Sequence, residues 1–142
     1  MIKHIWSILC EDSSVDQETN KLSIRNVLES IQIKVQGILP EKSAIPIPFE
    51  IVSFFTRADS NTEEEIQLKT KLVNAEMDQL GKDFAANIKF PAKSNRLRAR
   101  SRIQGLPIKG EGKYAFIISF KISKEKEFKT VAELPLEIKF IK

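Results

Sequence analysis

Apolar and polar side chains alternate along most of this chain, and that period of two is typical of a β-strand with one buried face. The alternation is clearest near the C-terminus, over residues 127–140. The residues that share one face there are apolar apart from one threonine: Phe128, Thr130, Ala132, Leu134, Leu136, Ile138 and Phe140. The polar positions of the opposite face are Glu127, Lys129, Glu133, Glu137 and Lys139. Because one face is apolar and the other is polar, the pattern predicts an antiparallel sheet with one solvated face.

Other stretches of the chain support the same fold class. Alternating stretches lie at residues 64–73, 83–90, 96–103 and 113–122. Residues 2–9 and 49–57 are apolar on both faces, which is typical of central strands. About eight strands separated by turns, with no crossover helices between them, predict an all-β fold. We expect an antiparallel two-sheet sandwich of the immunoglobulin-like kind, with a closed barrel as the alternative.

Two local features refine this prediction. Apolar residues occupy even positions at Leu22 and Ile24 but odd positions from Val27 onward, so a bulge or corner is expected near Asn26. Tyr114 opens a strand in the way that corner tyrosines do in immunoglobulin-like sandwiches, where the hydroxyl bonds to nearby backbone. The alternative is a tyrosine that only packs in the core.

Length and composition set the class of protein. The chain has 142 residues, a common domain size, so residues 1–142 are predicted to form one domain. Its single cysteine, Cys10, excludes an internal disulfide framework and favours a reducing compartment. The first residues lack the apolar run of a signal peptide, and no stretch approaches the roughly eighteen apolar residues that span a bilayer. We therefore expect a soluble cytoplasmic protein without a membrane partner.

Short motifs near the two ends carry a family resemblance. They are residues 8–12 (Ile-Leu-Cys-Glu-Asp), 20–24 (Asn-Lys-Leu-Ser-Ile), 26–27 (Asn-Val) and 111–116 (Glu-Gly-Lys-Tyr-Ala-Phe). Over the first and last thirty or so residues, the chain resembles a family of uncharacterised bacterial β-sandwich proteins, a domain of unknown function. The family pattern has Asp where this chain has Glu11, and Gly where it has Asn20 and Asn26. The resemblance implies only a fold, because no activity is established for the family.

The sequence contains no catalytic or metal-binding motif. His4 is the only histidine, and on one regular strand it would share a face with Cys10 at about 20 Å, too far apart to bind one metal ion. Glu11 and Asp12 follow Cys10 and would raise the pKa of its thiol, which predicts a packed, unreactive cysteine. The acidic turn at residues 12–20 lacks the glycine and final glutamate of a calcium loop. No catalytic residue, metal or cofactor is therefore predicted.

The strongest local feature is an arginine at every second position, a set we call the arginine stripe. Its members are Arg96, Arg98, Arg100 and Arg102. In a strand, all four side chains project from one face, and successive arginines are about 6.6 Å apart. That spacing is close to the distance between neighbouring phosphates of one nucleic-acid strand, about 7 Å or less. Lys89 and Lys93 could widen the patch, and residues 89–113 carry a net charge of +7.

Two other interpretations of the arginine stripe stay open. Arginine forks also suit carboxylates, so an acidic protein surface is a possible partner. A neighbouring strand with glutamates, such as residues 63–65, would give the stripe a structural role through cross-strand pairing. Aromatic stacking residues are missing from the exposed arginine face, which favours the structural role.

The absence of catalytic motifs favours a non-enzymatic binding or accessory module. The alternative is polyanion or nucleic-acid binding through the arginine stripe at residues 96–102, with Lys89 and Lys93 as further contacts. The sequence identifies neither the partner nor the oligomeric state.

Overall fold

A computed structural model describes residues 1–34, 45–58 and 61–141 of the chain. These residues form nine strands and no helix. The strands are β1 (Ile2–Val15), β2 (Leu22–Val27), β3 (Ser30–Lys34), β4 (Ile45–Arg57), β5 (Glu64–Val73), β6 (Gln79–Phe90), β7 (Arg96–Leu106), β8 (Gly112–Ile122) and β9 (Lys129–Ile141). The predicted all-β class is confirmed, with 73% of the described residues in strands. The ninth strand arises because residues 22–34 divide into two.

The strands form two sheets that pack face to face. The four-stranded sheet has the order β2-β1-β4-β7, and the five-stranded sheet has the order β3-β9-β8-β5-β6. Aromatic pairs join the sheets through the core, with Phe49 against Phe116 and Phe55 against Phe120 at ring-centroid distances of 5.4 and 5.1 Å. The predicted two-sheet sandwich is confirmed. One of its strand pairs, β3 with β9, is parallel rather than antiparallel.

The phase change in residues 22–34 is a corner between the two sheets. Asn26 has a left-handed backbone with φ of 54°. Two residues later the Leu28 amide donates to the Leu9 carbonyl at 2.8 Å, and the chain then enters the other sheet as β3. The corner predicted near Asn26 is confirmed, because β2 and β3 lie in different sheets. Ile31 of β3 belongs to the core between the sheets, whereas Leu22 and Ile24 of β2 are only half-buried.

The C-terminal strand departs from the predicted alternation at Val131. A register shift between β8 and β9 makes Val131 an extra residue, and such a bulge reverses the side that the earlier residues face. Thr130 consequently pairs with Ser119, their hydroxyl oxygens 3.2 Å apart. Phe128 lies under the ammonium group of Lys69, 4.2 Å from the ring centroid. The prediction that Phe128 and Thr130 belong to the buried face is therefore wrong.

Tyr114 bonds to backbone as a corner tyrosine does. Its hydroxyl donates to the Gly110 carbonyl oxygen at 2.7 Å, and its side chain is buried. The hydrogen bond holds the turn before β8 against the start of that strand. The predicted bond to nearby backbone is confirmed, and the immunoglobulin-like detail of the fold stays a prediction.

A buried arginine, Arg57, holds one end of the sandwich together. Its side chain is 0% exposed and lies 4.8 Å above the centre of the Phe90 ring. The guanidinium donates to the carbonyl oxygens of Ser94 at 2.8 Å and Pro91 at 2.9 Å, and to the Glu64 carboxylate at 3.0 Å. Arg57 thus ties β4 of one sheet to β5 of the other and to the β6–β7 turn (residues 91–95).

Replacing Arg57 with Ala should lower the free energy of unfolding by about 3 kcal/mol or more, because it removes a buried guanidinium that makes three hydrogen bonds, and hydrogen bonds to charged groups contribute about 1.5–3 kcal/mol each. Urea unfolding would measure the loss. The matched control is Arg25→Ala, which removes a guanidinium paired to Asp12 at the surface and should have a much smaller effect. Equal losses in the two variants would contradict this role for Arg57.

Candidate functional site

Strand β1 changes partner along its length. It pairs with β4 from Ile2 to Cys10 and with β2 from Cys10 to Val15. Beyond Glu50, in the direction of Ile45, β4 pairs with β7 and no longer with β1. The β1–β2 hairpin (residues 10–27) therefore extends beyond the part of β1 that pairs with β4.

The hairpin covers part of the sheet's outer face, meaning the face turned away from the five-stranded sheet. Leu9 and Ile51 point into the core, so their neighbours Cys10 and Val52 point to the outer face. Both are nevertheless 0% exposed. On the same face, Glu50 is 6% exposed, and its carboxylate accepts a hydrogen bond from the Ser13 hydroxyl of the hairpin. Since buried carboxyl groups require such partners, this bond fixes the hairpin over the face.

The tip of the hairpin is a defined turn. The Asp16 carboxylate accepts the amide hydrogens of Glu18 at 2.8 Å and Thr19 at 2.9 Å. These backbone hydrogen bonds lower the pKa of Asp16. Asn20 takes a left-handed conformation with φ of 59°, which asparagine tolerates better than most residues. Asp16, at the start of the turn, thus closes the turn itself.

An open cleft of about 790 Å³ lies between the hairpin and the outer face. Its size falls in the range of small-molecule sites, about 300–1,000 Å³. The hairpin contributes the apolar residues Val15, Leu22 and Ile24, together with Lys21. The sheet contributes Trp6, Phe54, Arg96 and Arg98. Two aromatic rings and three cationic side chains therefore share one concave surface.

The two rings and one arginine form a row across three strands. Arg98 of β7 is opposite Phe54 of β4, and Phe54 is opposite Trp6 of β1. The Trp6 and Phe54 ring centroids are 5.6 Å apart. The expectation that aromatic side chains are missing from the arginine face is therefore wrong, because neighbouring strands supply them. Lys21, Trp6 and Phe54 are the site residues that sequence reasoning missed.

All four members of the arginine stripe lie on the outer face, as predicted. In the pairing of β7 with β4, Arg96 is opposite Thr56, Arg98 is opposite Phe54, Arg100 is opposite Val52 and Arg102 is opposite Glu50. Arg96 and Arg98 line the cleft, whereas Arg100 and Arg102 border a smaller depression of about 370 Å³ beside β6. None of the ion pairs among the described residues involves a guanidinium of the stripe.

The glutamates at residues 63–65 do not neutralise the stripe. Strand β7 pairs with β4, whereas Glu64 and Glu65 belong to β5 of the other sheet. The Glu64 carboxylate forms an ion pair with Arg57, and a carboxylate oxygen of Glu63 lies 3.5 Å from the ammonium nitrogen of Lys89. The suggested cross-strand pairing with these residues is therefore wrong, because the neighbour of β7 comes from a distant part of the sequence.

The two lysines predicted to widen the patch are separated by the fold. Lys89 lies on β6 of the five-stranded sheet and is paired with Glu63. Lys93 lies in the β6–β7 turn, where its backbone has φ of 70° and its side chain is exposed. Pro91 and Ser94 of that turn line the cleft. Lys93 is thus beside the cleft, and Lys89 is outside it.

His4 faces the core rather than the cleft. Its Nε2 lies 2.7 Å from the Ser7 hydroxyl, which lies 2.7 Å from the Ser53 hydroxyl. Burial lowers the pKa of His4. A register shift beside Ile5 turns His4 and Cys10 to opposite faces, so the prediction that they share a face is wrong. The described residues contain no group of three or more His, Cys, Asp or Glu side chains placed to hold a metal ion.

Comparison with known proteins supports the fold. No family model and no curated protein matches the chain, so the family resemblance stays a prediction. A family 123 glycoside hydrolase from Clostridium perfringens is similar over 96% of this chain, with a TM-score of 0.51 and 10% identity. The chain spans 27% of that hydrolase chain. Calcium-binding domain CBD12 of CALX1.1 aligns with 79% of this chain and 42% of its own, with a TM-score of 0.43 and 16% identity.

These identities are low enough that the likeness to the hydrolase concerns the fold alone.

In the part of the chain that the structure describes, no helix is long and apolar enough to cross a membrane.

The environment of Cys10 predicts slow thiol chemistry. Burial, then the nearby charges of Glu50 and Asp12, raise the pKa of Cys10 to about 11. Because the thiolate is the reactive form, labelling by a disulfide reagent at pH 8 should be roughly a hundredfold slower in the native than in the denatured protein. The native rate should rise as the pH approaches 11, and Cys10→Ala should take no label. Equal rates in the two states would contradict the prediction.

Proposed function

We propose that this chain is a non-enzymatic binding module that holds an anionic ligand in the cleft beneath the β1–β2 hairpin. The observation that carries the proposal is the pair Arg96 and Arg98, which line an open, partly apolar cleft. Among the described residues neither guanidinium has an ion-pair partner. A neighbouring carboxylate would normally offset such a concentration of charge, so an anion from outside the chain is the natural counterpart.

The chemistry of the lining favours an anion. Guanidinium groups form forked hydrogen bonds with phosphate and carboxylate oxygens. Apolar walls lower the local dielectric constant and screen these charges less than bulk water does. Lys21 adds a third cation from the opposite wall. The cleft therefore attracts a ligand that carries negative charge and a flat or apolar part.

The same lining supports a function without catalysis. General acid–base catalysis requires a positioned titratable group such as His, Asp, Glu or Cys beside the substrate. No residue of these four types is among the described side chains that line the cleft, and Lys21 is the one lining residue of another type that acts as an acid or base in enzymes. Cys10 is buried with a raised pKa, and His4 faces the core. We therefore propose binding without chemical conversion.

The second candidate is a polyanion that follows the whole arginine stripe. It is favoured by the shared outer face of all four arginines, of which Arg100 and Arg102 lie outside the cleft. Replacing Arg100 would weaken the binding of such a ligand as much as replacing Arg98 would. A ligand of the cleft alone would depend on Arg98.

Binding of inorganic polyphosphate at low salt tests the proposal. Arg98→Ala should weaken binding by about tenfold or more, since hydrogen bonds to charged groups contribute about 1.5–3 kcal/mol. The matched control is Lys89→Ala, which removes a positive charge from the other sheet and should leave affinity nearly unchanged. Isothermal titration calorimetry would measure both. Absence of binding, or equal weakening by the two variants, would contradict the proposal.

A further inference from the structure

Building on the proposed function, we propose that the ligand is a single-stranded nucleic acid that occupies the cleft at Arg96 and Arg98 and continues along Arg100 and Arg102 outside it. Its phosphates would lie along the arginine stripe, and its unpaired bases would stack on Phe54 and Trp6. The juxtaposition that carries this inference is the row of Arg98, Phe54 and Trp6 across three neighbouring strands.

The cationic part of the surface runs along one strand. Successive outward positions of β7 are about 6.6 Å apart, close to the spacing of neighbouring phosphates in one nucleic-acid strand, about 7 Å or less. Arg96 and Arg98 lie at the cleft, and Arg100 and Arg102 continue the same line. A backbone that follows β7 meets one cation for each phosphate over this length.

The aromatic part of the surface lies to one side of that line. Because neighbouring strands are about 4.8 Å apart, Phe54 lies roughly 5 Å and Trp6 roughly 10 Å from β7. Both rings are only partly buried and line the cleft. Bases that extend sideways from the backbone therefore reach two ring faces. A basic groove beside stacking aromatics is the recurring arrangement for binding single strands without sequence preference.

The cleft favours unpaired bases over a duplex or an acidic protein. The hairpin closes the cleft on the side opposite β7 with apolar residues. Bases within a duplex are stacked on one another and cannot insert between these walls. An acidic peptide would satisfy the arginines but would leave the two aromatic rings without a stacking partner.

Trp6 provides a reporter within the site, because it is the only tryptophan of the chain. The experiment titrates the full chain with a thymidine oligonucleotide of about twelve residues, an abasic strand of equal length, the matching duplex and a polyglutamate peptide. We expect the oligonucleotide to quench Trp6 fluorescence and to bind at least about fivefold more tightly than the abasic strand, the loss of one stacked base being worth roughly 5- to 150-fold. A plot of log affinity against log salt concentration has a negative slope, and the magnitude of that slope should be smaller by about 0.7 in Arg98→Ala, because one phosphate contact is lost.

Two aromatic variants separate stacking from charge. Phe54→Leu should weaken oligonucleotide binding roughly 5- to 150-fold and leave abasic-strand binding nearly unchanged. Phe128→Leu, which alters a ring on the other sheet, should change neither.

Equal binding of the oligonucleotide and the abasic strand without quenching would overturn this inference while the anion site stands. Tighter binding of the duplex or the peptide would overturn it as well. Failure of polyphosphate and every probe to bind would overturn the proposed function itself.

Discussion

The buried carboxylate of Glu50 is the group on which the cleft depends. It projects from a central strand to a face of the sheet that would otherwise be open to water, yet it is 6% exposed. Taking a carboxyl group out of water costs several kcal/mol unless hydrogen bonds replace the lost hydration. The Ser13 hydroxyl supplies one such bond, and Ser13 belongs to the hairpin that forms the cover. The hairpin and the carboxylate thus hold each other in place.

A second buried polar group fixes the other side of the same cleft. Arg57 bonds to the carbonyl oxygens of Pro91 and Ser94, and the residues that carry these carbonyls line the cleft. The β6–β7 turn leads directly into Arg96, so the hydrogen bonds from Arg57 to this turn also set where the arginine stripe begins. Two walls of the cleft are therefore anchored by buried hydrogen bonds rather than by surface contacts. Such anchoring preorganises a site and reduces the entropy lost on binding.

Local alternation predicted most strands, because burial of one face imposes a period of two on any strand that lies on the core. It could not predict which strands are neighbours, since the pairing of β1, β4 and β7 joins residues far apart in sequence. The row of Trp6, Phe54 and Arg98 could therefore not be predicted from the sequence, although each residue was correctly placed in a strand. The bulges beside Ile5 and Val131 were missed for a related reason. A single extra residue reverses the faces without requiring a turn residue to mark it.

The most direct test of the central claim, that Glu50 holds the hairpin over the sheet, is a double-mutant cycle of Ser13→Ala and Glu50→Ala in urea unfolding. If the two side chains are bonded as described, the loss of stability in the double variant should differ from the sum of the single losses by about 0.5–3 kcal/mol. Losses that add to within about 0.5 kcal/mol would mean that the side chains act independently. The hairpin would then have no anchor at Glu50, and the account of the cleft would be wrong.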